Sequence, residues 1–353
     1  MNVLWIGKTG KANAWYHIML TASAGSVNKV HVVRHEKPVR RVESDKVEYH
    51  LFRSCGPVPD IVKMFFRGLR VILSRKIDLI ITYNVYPYGV MSYVLSVLTG
   101  KPLAVCFIGA DYHTHLFQQP SRFLIQRVIK RARIVICKGR HMSAELLKAG
   151  AAEEALFYYP HFVSDEMLQR NGDGSKEFDL ITISDFIPRK NLDVLVDAVT
   201  LLKDKGVIMK TCIVGAGPLY DSVKQRIQSA GLDDQIMLTG YQNDILPWLQ
   251  KSRIYVQTSW GEGLSLALLE ALACSLVPVV TEAGAERDLI RDGETGLFIE
   301  IGNPTDLVSK LEHLMNAGAY NRIKENLAPI RSTISIGTAR EKMNLILQKS
   351  LQS

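Results

Sequence analysis

Twice along this chain of 353 residues, short aliphatic and β-branched runs alternate with segments of helical spacing, joined by glycine-bearing turns. The first run is Val3-Leu4-Trp5-Ile6, followed at once by Gly7-Lys8-Thr9-Gly10-Lys11 and a helix from about residue 14. Strand, glycine loop, helix, strand is how a parallel α/β sheet begins, since parallel neighbours need a long crossover. The rhythm predicts further strands at 29–34, 79–82, 103–108 and 134–136, with helices at 60–75, 89–98 and 121–132. Asn171-Gly172-Asp173-Gly174-Ser175-Lys176 is polar and glycine-rich, and reads as a linker. Beyond it the rhythm restarts. Strands are expected at 178–183, 210–214, 235–239, 253–257, 277–280 and 297–299, and helices at 191–203, 217–230, 264–274, 284–290 and 304–317, with a last helix at 337–351.

The length fits two domains at roughly 100–200 residues each. With 47% hydrophobic and 22% charged residues, disorder and coiled-coil arrays are excluded. The five cysteines are scattered and form no CxxC pair, which speaks against a disulfide scaffold or a cysteine zinc site and for a reducing compartment. No secretory h-region is legible near the start. The apolar stretch 79–98 is broken by Asn84, Pro87 and Gly89, so a buried strand, loop and helix are expected rather than a membrane span. Charge is uneven. Residues 1–170 hold 24 Lys+Arg against 12 Asp+Glu, a balance of +12, while residues 171–353 hold 19 against 23, a balance of −4. One half is therefore suited to an anionic surface.

The segment Trp260-Gly261-Glu262-Gly263-Leu264-Ser265-Leu266 runs on to Glu270 after a predicted strand. Glu262 falls in a glycine-flanked turn, and Glu270 two turns into an apolar helix. Eight residues at about 1.5 Å each separate them by roughly 12 Å along the axis, too far to share one small group. That spacing suits an extended ligand with hydroxyls near both ends and a phosphate bridge facing the free N–H groups at the helix start. Nucleotide-sugars have this layout. The plain alternative is an exposed turn acid and a helix-surface acid, although a carboxylate on an apolar helix needs a partner.

Glu262 and Glu270 match the E-x7-E motif of the retaining, GT-B-fold glycosyltransferases of family 4, and the chain resembles that family in further segments. Glu270-Ala271-Leu272-Ala273-Cys274 with Val277-Pro278-Val279-Val280 resembles its EAMACGxPVV, and Asp292-Gly293-Glu294-Thr295-Gly296-Leu297 its DGxTGLL. Ile213-Val214-Gly215-Ala216-Gly217-Pro218 is similar to its IVGxGP, and Phe186-Ile187-Pro188-Arg189-Lys190-Asn191 stands where it has GRLxxxKG. Residues 102–111 resemble PxVxxxHGxD. The likeness runs in order to about residue 315 and is most specific in the second half.

The resemblance implies a GT-B fold, two tandem Rossmann-like doubly wound domains facing across a cleft. Residues 1–170 would form the acceptor-binding domain and 171–336 the nucleotide-sugar-binding domain, with 337–353 a helix crossing back to the first. By the same resemblance, Glu270 would accept hydrogen bonds from ribose hydroxyls and Glu262 would contact the donor sugar. Backbone N–H groups around Gly263, Leu264 and Ser265 would face the sugar and diphosphate. Lys190 matches the family's diphosphate lysine, a charge that stabilises the leaving group. Tyr241 falls where the base pocket begins, Gly215 in the adjoining loop, and Gly10 in the loop that closes over sugar and phosphate. Asp111 and His113 fall where the family places acceptor groups, a pairing suited to orienting or deprotonating a hydroxyl.

One position departs from the pattern. Where the family has an arginine on the diphosphate, this chain has Ser184-Asp185, and Arg189 is the replacement at hand. The Gly7–Lys11 loop fails as a Walker A, because position 5 is Trp5 and Ala12 follows the lysine. No D-x-D triplet occurs, which argues against the metal-dependent class of glycosyltransferase. His113 and His115 lack further ligands nearby, so no metal site and no cofactor are expected. Residues 61–76 and 121–133 are basic and amphipathic, able to lie on an anionic bilayer or to pack on the sheet with their charges solvated. Nucleic acid is not an expected partner, for no binding motif accompanies them.

The expectation is a metal-independent retaining transferase acting in glycan, glycolipid or cell-surface polysaccharide synthesis, in the cytoplasm or on the cytoplasmic face of a membrane. Its partners would be a nucleotide-sugar donor, with UDP or GDP as the nucleotide, and a glycan, lipid-linked or small-molecule acceptor. Two rivals stand beside it: a GT-B-fold nucleotide-sugar epimerase, and a non-catalytic sugar-nucleotide-binding subunit.

Overall fold

Thirteen strands, all in parallel ladders, account for the aliphatic runs among the residues that the computed structural model describes, namely 1–7, 12–34, 41–107, 121–159, 161–169 and 175–351. They divide between two units, Met1–Pro160 with Gly337–Ser353, and His161–Ile336.

The first unit holds β1 (Asn2–Gly7), β2 (Lys29–Arg34), β3 (Val47–Leu51), β4 (Leu79–Tyr83), β5 (Leu103–Phe107), β6 (Ile134–Cys137) and β7 (Leu156–Tyr158) in the order β3-β2-β1-β4-β5-β6-β7. β1, β4 and β5 are buried on both faces, as the centre of a parallel sheet requires. On one face the helices Pro57–Ser74, Val90–Thr99 and Ser121–Arg131 lie side by side, sending Met64, Leu95 and Ile125 into the core. Each fully buried side chain of this size contributes roughly 1.5–3 kcal/mol. The helix Ile336–Leu351 joins this unit from Gly337 onward, with Met343, Ile346 and Leu347 buried and Lys342 over the Tyr158 ring.

The second unit holds β8 (Phe178–Ile183), β9 (Thr211–Val214), β10 (Ile236–Gly240), β11 (Ser252–Gln257), β12 (Val277–Thr281) and β13 (Leu297–Ile299) in the order β10-β9-β8-β11-β12-β13. The helices Leu192–Asp204 and Pro304–Met315 pack on one face, and Leu266–Ala273 on the other. This unit begins at His161, ahead of the 171–176 stretch, because Val163 is part of its core and donates its N–H to the Ile334 carbonyl at 3.0 Å.

Sequence order and space disagree at one place in each sheet. Neighbours β1 and β4, and likewise β8 and β11, send their following helices to opposite sides, which opens a crevice at the carboxyl ends. The structure also departs from the sequence reading within the units. The helix expected at 284–290 is only a 3-10 turn, Glu286–Asp288, since the Glu286 side chain turns inward to other partners. Strand β3 and the helix His141–Lys148 add elements that the reading did not contain.

Candidate active site

At the β8/β11 crevice the loop after β8 brings Arg189 and Lys190, and the loop after β11 brings Glu262. Glu262 is 7% exposed. Its Oε1 accepts from Lys190 Nζ at 2.6 Å and from Ser259 Oγ at 2.7 Å, and its Oε2 from Arg189 Nη1 at 2.9 Å. Burial alone would raise the pKa of this carboxyl. Lys190, Ser259 and Arg189 outweigh burial and hold it below the ordinary carboxylate range. Arg189 also donates to the Gly261 carbonyl. Further bonds tie the two loops together: Trp260 Nε1 to the Pro188 carbonyl at 3.1 Å, and Thr258 Oγ1 to the Lys190 carbonyl at 3.0 Å. A buried anion thus holds two cations at the mouth of the crevice.

Beneath this pair lies a support that sequence reasoning missed. Glu286 is fully buried, accepting from Gln257 Nε2 at 2.8 Å and from the Gly284 N–H at 2.6 Å. Burial pushes its carboxyl up to about 7. The 283–285 backbone it fixes accepts from the Glu262 N–H at Ala283 and donates from Ala285 to the Gly263 carbonyl, both at 2.8 Å. Gly284 passes so close that a Cβ there would sit 2.3 Å from the Gly263 oxygen. The only signal in the sequence was an acid soon after a strand end.

From this loop the chain enters the helix Leu266–Ala273. Ser265 caps it, its Oγ accepting from the Leu268 N–H at 3.3 Å. Among the described residues the N–H groups of Leu264 and Ser265 have no acceptor, which leaves them available to an anion with the helix dipole behind them. Glu270 lies within this helix, between Leu269 and Ala271 of the core. Among the described residues no group donates to its carboxyl, and burial pushes it up to about 8.

Gly215 and Tyr241 follow β9 and β10. Gly215 has φ +143 and donates to the Gly240 carbonyl at 2.9 Å, and a Cβ on it would overlap the Ser184 oxygen, so no other residue fits. Tyr241 is 73% exposed and outside the Glu262 network. Asp185 is exposed in the turn ahead of Arg189. Gly10, Asp111 and His113 lie outside the described residues.

The first unit carries a buried amine that was not foreseen. Lys138 follows β6 directly and is fully buried. Its Nζ lies 2.9 Å from His17 Nε2 and 4.3 Å from the Tyr159 ring centre, and burial lowers its pKa to about 8.

Comparison with known proteins follows the same division. Residues 163–328 match the family model described as "Glycosyl transferases group 1". An uncharacterized glycosyltransferase of Methanocaldococcus jannaschii is 25% identical over 269 residues, 76% of this chain and 73% of that protein. The N-acetylgalactosamine-N,N'-diacetylbacillosaminyl-diphospho-undecaprenol 4-alpha-N-acetylgalactosaminyltransferase of Campylobacter jejuni is 29% identical over 162 residues, 45% of this chain and 43% of that one. Among solved structures, Anabaena HepE in complex with UDP superposes with a TM-score of 0.80 at 18% identity, covering 99% of this chain and 100% of that one. The fold is that of the GT-B glycosyltransferases.

Proposed function

We propose that this chain is a retaining glycosyltransferase that takes a sugar from a nucleotide-diphosphate donor held in its second unit. The observation that carries the reading is the Glu262–Lys190–Arg189 network at the crevice, beside two N–H groups and a Glu270 carboxyl that have no partner among the described residues. The group 1 family match over the same unit supports it. UDP is the first nucleotide to test, because Anabaena HepE, which shares the fold, is solved in complex with UDP.

In this reading the donor's ribose hydroxyls donate to Glu270. Its diphosphate meets Lys190, Arg189 and the N–H groups of Leu264 and Ser265. Glu262 then accepts from hydroxyls of the sugar. As the bond from the anomeric carbon to the phosphate oxygen breaks, negative charge grows on the diphosphate, and the two cations stabilise it. The acceptor oxygen bonds to the anomeric carbon on the same face, and its proton passes to the departing phosphate oxygen. No metal and no protein nucleophile enter the step. Catalysis is positioning and electrostatics.

The acceptor is assigned to the first unit, with Asp111, His113 and Gly10 in the roles that the family resemblance implies. An anionic bilayer is the proposed surface beneath it, reached from the cytoplasmic side. On the helix Pro57–Ser74, Val58, Val62, Phe66 and Leu73 are exposed, and Arg70 rims a shallow groove between Phe66 and Leu73. Val97, Leu98 and Phe123 extend the apolar face onto the two neighbouring helices. Two of the expected basic residues are engaged elsewhere: Arg67 donates to the Leu51 carbonyl and Lys63 to that of Arg53. Among the described residues no helix is long and apolar enough to cross a membrane.

The full-length protein incubated with UDP-, GDP-, ADP- and dTDP-sugars, with and without acceptors, tests the reading by product analysis. Transfer that vanishes in Lys190→Ala supports it. Exposed Asp185, an acid where the family pattern has its diphosphate arginine, favours one second reading, a donor-binding subunit without turnover. Tight donor binding with no product on any acceptor would select it.

A further inference from the structure

β3, the edge strand of the first sheet, carries charged residues where its other face is apolar: Glu48 and His50 alternate with Val47, Tyr49 and Leu51. The parallel register sets Glu48 beside His31 of β2, and His50 beside Val33. Residues two apart share a face, so Glu48, His50 and His31 project to one side of the sheet. His31 Nδ1 lies 3.1 Å from His50 Nε2 and 3.5 Å from Glu48 Oε2, and His50 Nε2 lies 3.6 Å from Glu48 Oε1.

We propose that His31, Glu48 and His50 form a binding site for a divalent cation of the zinc class, holding edge strand β3 to β2. Zinc bonds of about 2.0–2.1 Å in tetrahedral array put neighbouring ligand atoms about 3.3–3.4 Å apart. The His31–His50 separation lies near that edge length, and each ring lies near it from a different Glu48 oxygen, Oε2 for His31 and Oε1 for His50, so a rotation of the Glu48 side chain, without backbone movement, presents one oxygen to an ion held by both rings. Two imidazoles and one carboxylate suit zinc and its neighbours among the transition metals rather than calcium or magnesium, which prefer all-oxygen sets. His31 is buried and fixed by packing, whereas Glu48 is about one-third exposed and gives the ion a route in and a fourth position for water. Arg75 Nη2 donates to Glu48 Oε1 at 3.2 Å. Such an outer partner orients a ligating carboxylate. Its charge opposes the cation, but the side chain is half exposed and screened. The site lies in the unit that lacks the Glu262 network, and its role is structural.

The test uses the full chain in a Cys55→Ser background, which removes the exposed thiol, after chelator treatment. Zinc is titrated in competition with a chromophoric chelator, melting is followed with Zn²⁺ or Mg²⁺, and Co²⁺ is added for its visible absorption. The expected result is one Zn²⁺ per chain, a melting midpoint raised by Zn²⁺ and not by Mg²⁺, and Co²⁺ bands of four- or five-coordinate character. His50→Gln and Glu48→Gln should each weaken binding tenfold or more, while His313→Ala, at an exposed surface position, leaves it unchanged. His50 is the less buried histidine, so His50→Gln carries the test where a His31 variant fails to fold. Equal zinc affinity in His50→Gln, Glu48→Gln and wild type would overturn the proposal. So would an unchanged midpoint with only the aqueous Co²⁺ spectrum, which would leave the cluster a hydrogen-bonded network alone.

Discussion

Glu262 is stable as a buried anion only because Lys190, Arg189 and Ser259 surround it. Removing one cation while two partners remain should cost about 1–3 kcal/mol. Lys190→Met should therefore lower the melting midpoint by several degrees, and should lower transfer by roughly 10²–10³-fold as charge on the leaving group goes unmatched. Calorimetry and initial rates read the two effects separately. Glu270 behaves in the opposite sense. Its folded pKa stands near 8, above the unfolded value, so the folded protein holds a proton that the unfolded chain releases. That contribution is complete below the unfolded pKa and is lost as pH rises through about 8. Glu270→Gln should flatten the fall in melting midpoint from about pH 4.5 to 8 and leave the apo protein more stable at pH 8. It should also lose donor affinity. A variant that melts lower than wild type at pH 8 would refute this reading of Glu270. The two glutamates stand out by their spacing and Lys190 by the family resemblance, and the structure joins Lys190 to Glu262. Glu286 was not legible, since its bond to Gln257 joins residues 29 apart and exists only once β11 and β12 are paired.

At the scale of elements, the proposed donor site is two loops that follow β8 and β11 and are bonded to each other, the second braced by the loop after β12. Gly284→Ala should displace that third loop, because its Cβ would meet the Gly263 and Glu262 oxygens. The expected loss is about 1–3 kcal/mol of stability, together with donor binding, measured by melting and titration. The exposed helix face offers a separate test. Phe66→Asp with Leu73→Asp should abolish co-sedimentation with vesicles containing anionic lipid, leave zwitterionic vesicles unbound as before, and leave donor binding intact. Retained sedimentation of the double variant would refute the docking role. The central strands were legible because Val3-Leu4-Trp5-Ile6 and its counterparts are buried on both faces and read as unbroken apolar runs. β3 was not, because an edge strand of half-buried residues alternates apolar with charged and looks like a loop. The alternation of strands and helices predicts a helix over 284–290, yet its acid is drawn inward and only one 3-10 turn forms.

For the molecule as a whole, the sequence divides its charge as the structure divides its units. The basic half contains the sheet with the exposed apolar helices, and the mildly acidic half contains the Glu262 network. The rhythm of strands made two parallel sheets legible, while Val163 packing into the second core moved the division upstream of the polar stretch. All other expectations of function depend on the second unit binding a nucleotide-sugar. The most direct test is titration of the full chain with UDP-sugars, followed by GDP-, ADP- and dTDP-sugars, for wild type, Glu270→Ala and Lys190→Ala. At about a hundredfold excess over Kd, a bound donor adds about 2.7 kcal/mol. That corresponds to a rise of about 5–10 °C in melting midpoint for a domain of this size. One nucleotide class should stabilise wild type by this amount, with the shift lost in Glu270→Ala and reduced in Lys190→Ala. An equal shift in all three proteins, or none in wild type with any donor, would contradict the assignment of this crevice to a nucleotide-sugar.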